Sequence, residues 1–344
     1  MNKFFSWKRL IVIFIVGIGI GILIPKIIGL KETLQLLSQI KYWALALALV
    51  AECFFYFGST ILTKTVLSMT NDKLRFYDVL KISIMDSFSV QFLPLGSLGE
   101  AAVDYYFYKA KLIRTSHIVL MFVSRTIIIW LVFAFIYLIG AAFAPTNSEL
   151  SHDKLLIIWL IYAAALGFFA YLIYLYSKKW LLLKRANRFL SVVNFGAKIL
   201  HVKKIEPAKI PLFVDKIYEA ITILAQNGRL QIYAVLGALF FWFGDIFCLY
   251  FAFLGFGFRP NLAIVIFAYS VTKILATLSF IPGGLGITEA SMSLIFIGFG
   301  MPASTALAAV LIFRLISFWL PIPLGFWSFL SLQKNYIKMA LGAR

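Results

Sequence analysis

The sequence predicts an all-α integral membrane protein with about six full transmembrane helices and two re-entrant hairpins in an inverted repeat. Three observations predict it. Hydrophobic residues make up 62% of the 344-residue chain and charged residues only 13%, against roughly 45–50% and about 25% in soluble domains. Apolar runs of about twenty residues recur, the length that crosses a hydrocarbon core of about 30 Å. Two more apolar regions are interrupted by Pro/Gly clusters, and in each a Glu after the break is followed 25 positions later by an Arg.

The first element, Leu10 to Ile24, follows Lys8-Arg9. No small-x-small cleavage site comes after it, so it reads as an uncleaved anchor. Further spans run from Tyr42 to Leu62, His117 to Phe143, Leu155 to Ser177, Gln231 to Leu254 and Ala303 to Leu332. Val79 to Ile113 is broken by Pro94-Leu95-Gly96-Ser97-Leu98-Gly99, and Leu262 to Gly300 by Pro282-Gly283-Gly284-Leu285-Gly286. After each break about 13 to 15 helical residues remain, roughly 20 Å at 1.5 Å each, which is too short to cross. Each region therefore reads as a re-entrant hairpin whose turn is buried in protein or lines a polar cavity.

The formal charge of +18 supports this topology. With both termini cytoplasmic and each hairpin returning to its own side, 24 of the 32 Lys and Arg lie inside, eleven of them between residues 178 and 230. A crossing at the first hairpin would turn those eleven outward, against the positive-inside rule. The expected location is the cell (plasma) membrane. Only Arg125, Lys273 and Arg314 remain within the membrane. Most of the basic surplus is thus explained without a nucleic-acid partner.

The two broken regions align as Pro94, Gly96, Gly99-Glu100 against Pro282, Gly284, Gly286 and Glu289. A shift of 189 residues carries Glu100 to Glu289, Arg125 to Arg314, and the span 42–62 to 231–251. Repeat 1 covers about 42–143 and repeat 2 about 231–332, entered from opposite sides of the membrane. That plan places substrate near the midplane, between discontinuous helices. The connecting span 155–177 and the cytoplasmic basic segment 178–230 lie between them. Within that segment, Leu183 to Leu200 and Asp215 to Gln226 read as helices on an anionic leaflet or as a solvated connecting loop.

Ionisable residues at membrane depth are functional candidates. Helix rise brings Glu100 toward Arg125 and Glu289 toward Arg314. These pairs either hold the hairpins or meet an anionic lipid headgroup, helped by the amides after Gly99 and Gly286. Asp86 and Lys273 sit near equivalent positions and are expected either to pair across the repeat axis or to relay protons or substrate. Pro94, Gly96, Pro282, Gly283 and Gly284 form the turns. Glu52, Asp104, Lys109 and Asp245 are weaker candidates. The cysteines Cys53 and Cys248 and the separated histidines His117, His152 and His201 suggest no metal site. Gly17-Ile18-Gly19-Ile20-Gly21 lies inside the anchor and is no dinucleotide fingerprint. No cofactor motif appears.

The Pro94, Gly96, Gly99-Glu100 stretch with Arg125, and Pro282-Gly283-Gly284-Leu285-Gly286 with Glu289, Arg314 and Pro321, resemble the transmembrane domain of lysylphosphatidylglycerol synthase/flippases. The resemblance covers nearly the whole chain. Ser124 and Ile129 depart from the pattern where it implies acidic residues. It implies a stand-alone, flippase-like domain without the soluble aminoacyl-transfer domain or an energy source of its own. Such a domain would move a phospholipid or a polyprenyl-phosphate-linked lipid between leaflets. The alternatives are an integral membrane glycosyl- or acyl-transferase with Glu100 or Glu289 as base, or an accessory subunit whose basic segment docks a lipid-modifying enzyme. Self-association into a homo-oligomer is left open.

Overall fold

The computed structural model describes residues 39–92, 97–143, 178–199, 209–279 and 281–342, with scattered helical positions between 159 and 174. The predicted anchor, most of the span 155–177, His152, His201, Pro94 and Gly96 lie outside the described residues. The described residues are helical with no strands. In order, the helices are α1 (Tyr42–Ser68), α2 (Phe76–Phe92), α3 (Ser97–Ala110), α4 (Thr115–Phe143), α5 (Lys179–Ile199), α6 (Lys209–Gln226), α7 (Gly228–Gly255), α8 (Leu262–Leu278), α9 (Ile287–Gly298), α10 (Ala303–Arg314) and α11 (Pro321–Gly342). A π-helical turn, Leu315–Trp319, joins α10 to α11. Among the described residues, four stretches are long and apolar enough to cross a membrane: α1, α4, α7 and Ala303–Leu332.

Toward the start of α1 small residues are buried and large apolar ones exposed. On α1, Ala44, Ala48 and Ala51 are buried while Trp43, Val50 and Phe54 are exposed. That distribution suits lipid, which gives Leu and Phe no reason to turn inward and leaves packing to small residues. The α1–α7 contact is the tightest example. A Cβ at Gly58 would lie 2.4 Å from the Phe241 amide nitrogen, one at Gly237 2.7 Å from Leu62 N, and one at Gly244 2.5 Å from Phe55 N. Gly255 faces Ile40 and Ala44 at the other end, so the two helices related by the 189-residue shift run antiparallel.

The broken regions fold back on themselves. α2 packs on α3, and α8 on α9. The arms beyond the breaks have 14 residues in α3 and 12 in α9. Each arm also ends alike. Ile113 N donates to Tyr108 O at 3.1 Å around Leu112, and Met301 N donates to Phe296 O at 3.1 Å around Gly300. Leu112 and Gly300 both have positive φ, +64° and +85°, the left-handed cap that closes a helix C-terminus.

The two halves interleave. α2 packs against α11, where a Cβ at Gly325 would meet Phe88 Cβ at 2.4 Å and Ile84 O at 3.0 Å. α8 packs against α4, where Gly140 faces Ile266 and Phe267. In the basic segment α6 begins at Lys209, earlier than the expected Asp215 and two residues before Pro211. Proline is tolerated there because first-turn amides have no intrahelical acceptor. α6 is no free loop, since Ile217 and Ile223 pack with Leu120 and Val123 of α4. Exposed Lys184, Arg185 and Arg188 of α5 keep that helix strongly basic.

Candidate functional site

Three charged clusters lie among the hairpins. At the first, the break before α3 lets Glu100 and Asp104 project one turn apart from the same helix face. Asp86 comes from α2 and Arg125 from α4, where it is 3% exposed. Arg125 Nη1 donates to Asp86 Oδ2 at 3.2 Å, and Nη2 donates to Glu100 Oε1 and, at 3.0 Å, to Asp104 Oδ2. The predicted Glu100–Arg125 contact forms, within a larger group. One guanidinium faces three carboxylates, a formal balance of two negative charges. Oxygens of Asp86, Glu100 and Asp104 lie within 4.8 Å of one another, a spacing that could hold a cation. Each of the three already gives one oxygen to Arg125.

At the second cluster, Gly283, Gly284 and Gly286 take φ of +59°, +61° and +81°, turning the chain from α8 into α9. A Cβ at Gly283 would lie 2.1 Å from Phe318 Cε2. Glu289 Oε2 accepts from the Gly286 amide at 2.7 Å, capping α9, and Glu289 Oε1 accepts from Arg314 Nε at 2.7 Å. Arg314 Nη2 donates to the Gly283 carbonyl at 2.9 Å, and its guanidinium carbon lies 4.1 Å from the Phe318 ring centroid. The predicted Glu289–Arg314 pair is thus locked to the turn itself. Gly99 lies inside the first turn of α3, one residue before Glu100, whereas Gly286 is the N-cap of α9, three residues before Glu289.

The third cluster corrects an expectation. Lys273 does not pair with Asp86. Its Nζ lies 3.7 Å from Asp245 Oδ2 of α7, which also accepts from the Tyr269 hydroxyl. Trp242 and Tyr269 flank Lys273, with ring centroids 5.8 and 5.7 Å from Nζ. Buried Glu52 of α1 has Asp245 and Lys273 as its charged neighbours. Asp86 and Lys273 come from different broken regions, and each pairs with a cation or carboxylate nearer to it. The Lys273 side chain is 41% exposed, against 4% for Arg125 and 9% for Arg314. Of the three cations read as lying at membrane depth, it is the one open to an incoming anion.

The fold and these clusters define a multi-pass membrane protein built on broken helices whose hairpins carry buried ion pairs. The chain belongs to the family described as the lysylphosphatidylglycerol synthase TM region, whose model matches residues 12–325. This bears out the resemblance carried by the two Pro/Gly–Glu–Arg motifs. The chain is 25% identical over 333 residues to a UPF0104 membrane protein of Pyrococcus horikoshii, covering 91% of this chain and 94% of the relative. A UPF0104 membrane protein of Methanocaldococcus jannaschii is 23% identical over 313 residues, 90% and 91% of the two chains. One from Methanothermobacter thermautotrophicus is 32% identical over 122 residues, 33% and 36%.

Proposed function

We propose that the chain is a lipid flippase-like transporter that moves a phospholipid or a polyprenyl-phosphate-linked lipid between leaflets of the cell membrane. Its two halves form an inverted repeat with re-entrant hairpins and cytoplasmic termini. The antiparallel course of α1 and α7, the short arms of α3 and α9 and their matching caps support that arrangement. The single observation that carries the transport reading is the part-exposed Lys273 beside the rings of Trp242 and Tyr269. A membrane cation held over ring faces suits an anionic headgroup while the stems remain in apolar surroundings. Arg125 and Arg314 are held by carboxylates in this conformation, and a headgroup reaches them by displacing Glu100 or Glu289.

A second reading, an integral membrane transferase acting on a lipid-linked substrate, gains from Asp86 and Asp104 beside Glu100, which supply the additional carboxylates that acid–base chemistry uses. Reconstituted vesicles with headgroup-labelled phospholipid separate the two. The transporter moves label between leaflets, and Lys273→Ala and Arg314→Ala reduce that movement. Product formation without leaflet transfer supports the transferase instead. The basic face of α5 fits anionic lipid or a partner lipid-modifying enzyme.

A further inference from the structure

We propose that the Asp86, Glu100, Asp104 and Arg125 cluster is a proton-binding site, and, on the transport reading above, the site that couples lipid movement to a proton gradient. Charge and geometry carry it. Asp86 is 5% exposed, Asp104 0% and Arg125 3%, so with every carboxylate ionised these groups would keep one uncompensated negative charge out of water and the partly exposed Glu100 would add a second, a state that proteins avoid by neutralising a group. Oxygens of the Asp86 and Asp104 carboxylates lie within 4.8 Å of each other. Two ionised carboxylates have no hydrogen to share; a bound proton makes one a donor. Asp86 Oδ1 and Asp104 Oδ1 are buried without a hydrogen-bond partner.

A separate observation comes from Tyr108, one turn after Asp104. Its side chain is fully buried, its hydroxyl has no hydrogen-bond partner, and its charged neighbours are Asp104, Asp86, Arg125 and Glu100. A metal ion fits less well. With one oxygen of each carboxylate given to Arg125, three carboxylate oxygens remain, fewer than the six to eight that a calcium-sized ion takes. The second half differs where this matters. Under the 189-residue shift Asp104 becomes Ser293, so Glu289 and Arg314 balance one to one.

Other charges on the surrounding helices are engaged elsewhere. Lys111 pairs with Asp78 at 3.1 Å, Lys81 donates to Ser331, and His117 contacts Asp72. Glu52 of α1 faces Asp245 and Lys273, and Lys109 is exposed. In the proposed cycle a proton from water on one side enters through the partly exposed Glu100 and is held between Asp86 and Asp104. It leaves on the other side when Arg125 is drawn to the headgroup.

The test is infrared difference spectroscopy of the full chain in vesicles, titrated from mildly acidic to mildly alkaline pH in light and heavy water. A deuterium-sensitive carboxylic-acid carbonyl band is expected in the wild type and in Asp78→Asn. It is expected to be lost or shifted in Asp86→Asn and in Asp104→Asn, either of which serves if the other does not fold. Absence of a titrating band in the wild type overturns the proposal, as does a band unchanged in a folded Asn variant. A band displaced by sodium at constant pH also overturns it, in favour of a metal-cation site. Labelled-lipid flux in the same vesicles tests the coupling. Flux that follows an imposed pH gradient in wild type and ignores it in Asp104→Asn supports it; wild-type flux indifferent to the gradient overturns the coupling. Absence of flux under every gradient overturns the transport reading, while the band still decides the site.

Discussion

The Gln91 side-chain amide donates a 3.2 Å hydrogen bond to the Ser317 carbonyl, linking the last turn of α2 to the π-helical turn after Arg314. Pro321 explains why that carbonyl is available. Its nitrogen stands four residues on and carries no hydrogen. The end of the first hairpin's arm therefore repairs a break in the helix that carries the second cluster's arginine. Gln91→Leu should destabilise the protein by about 1–3 kcal/mol through an unpaired buried carbonyl. Pro321→Ala should make Gln91→Leu less costly by restoring a backbone donor, which a double-mutant cycle of thermal unfolding in detergent would measure.

The two arginines should differ in what their removal does. Breaking a buried ion pair costs about 3–5 kcal/mol because the remaining charge is left alone. Arg314→Met leaves one carboxylate, and that carboxylate still caps α9 through Gly286. Arg125→Met leaves three. The expected order of thermal midpoints is wild type, Arg314→Met, Arg125→Met. The double variant Arg314→Met/Glu289→Gln should recover part of the single loss. Equal midpoints for the two single variants would contradict the charge balance described for the clusters.

At the α1–α7 crossing, Gly58→Ala puts a methyl 2.4 Å from a backbone nitrogen, and no side-chain rotation relieves it. The helices must separate, at a cost of about 1–3 kcal/mol by the measure of overpacked cores. Gly228→Ala, where the added Cβ meets nothing within 4 Å, is the matched control. Thermal unfolding should distinguish them clearly.

Leu112 adopts φ of +64° and is 92% exposed, while Gly300 holds the corresponding cap in the second hairpin. The left-handed conformation costs a branched residue roughly 1–2 kcal/mol, against the roughly 0.5–1 kcal/mol of extra chain entropy that glycine loses. Leu112→Gly should therefore stabilise the chain by about 0.5–1 kcal/mol. A fall in the unfolding midpoint would contradict the shared cap geometry.

The Glu–Arg pairings were legible because three quantities in the sequence agreed: the 25-residue spacing, the helix rise and the position of each break. Asp104 was half legible. Its four-residue offset from Glu100 places both on one helix face, but only the packing of α3 against α2 and α4 turns that face toward Arg125 and Asp86. The Asp86–Lys273 pairing did not form, because a shift that relates two positions in sequence says nothing of their separation in space. Gln91 and Ser317 lie 226 positions apart, and no local pattern joins them. The cluster of Glu52, Asp245, Tyr269 and Lys273 draws on three helices, so its members looked like separate residues until those helices were packed.

The interleaving of α2 with α11 and of α8 with α4 bears on biogenesis. At roughly 5–20 residues per second, synthesis of the 226 positions between Gln91 and Ser317 takes roughly 10 to 45 s. For that interval the first hairpin sits in the bilayer without the helix that will cover it, and with a glutamine amide awaiting its acceptor. A nascent chain stalled after α4 is an unfinished object, exposed to membrane quality control. Splitting the protein in the basic segment between α5 and α6 would yield two fragments that need each other to survive.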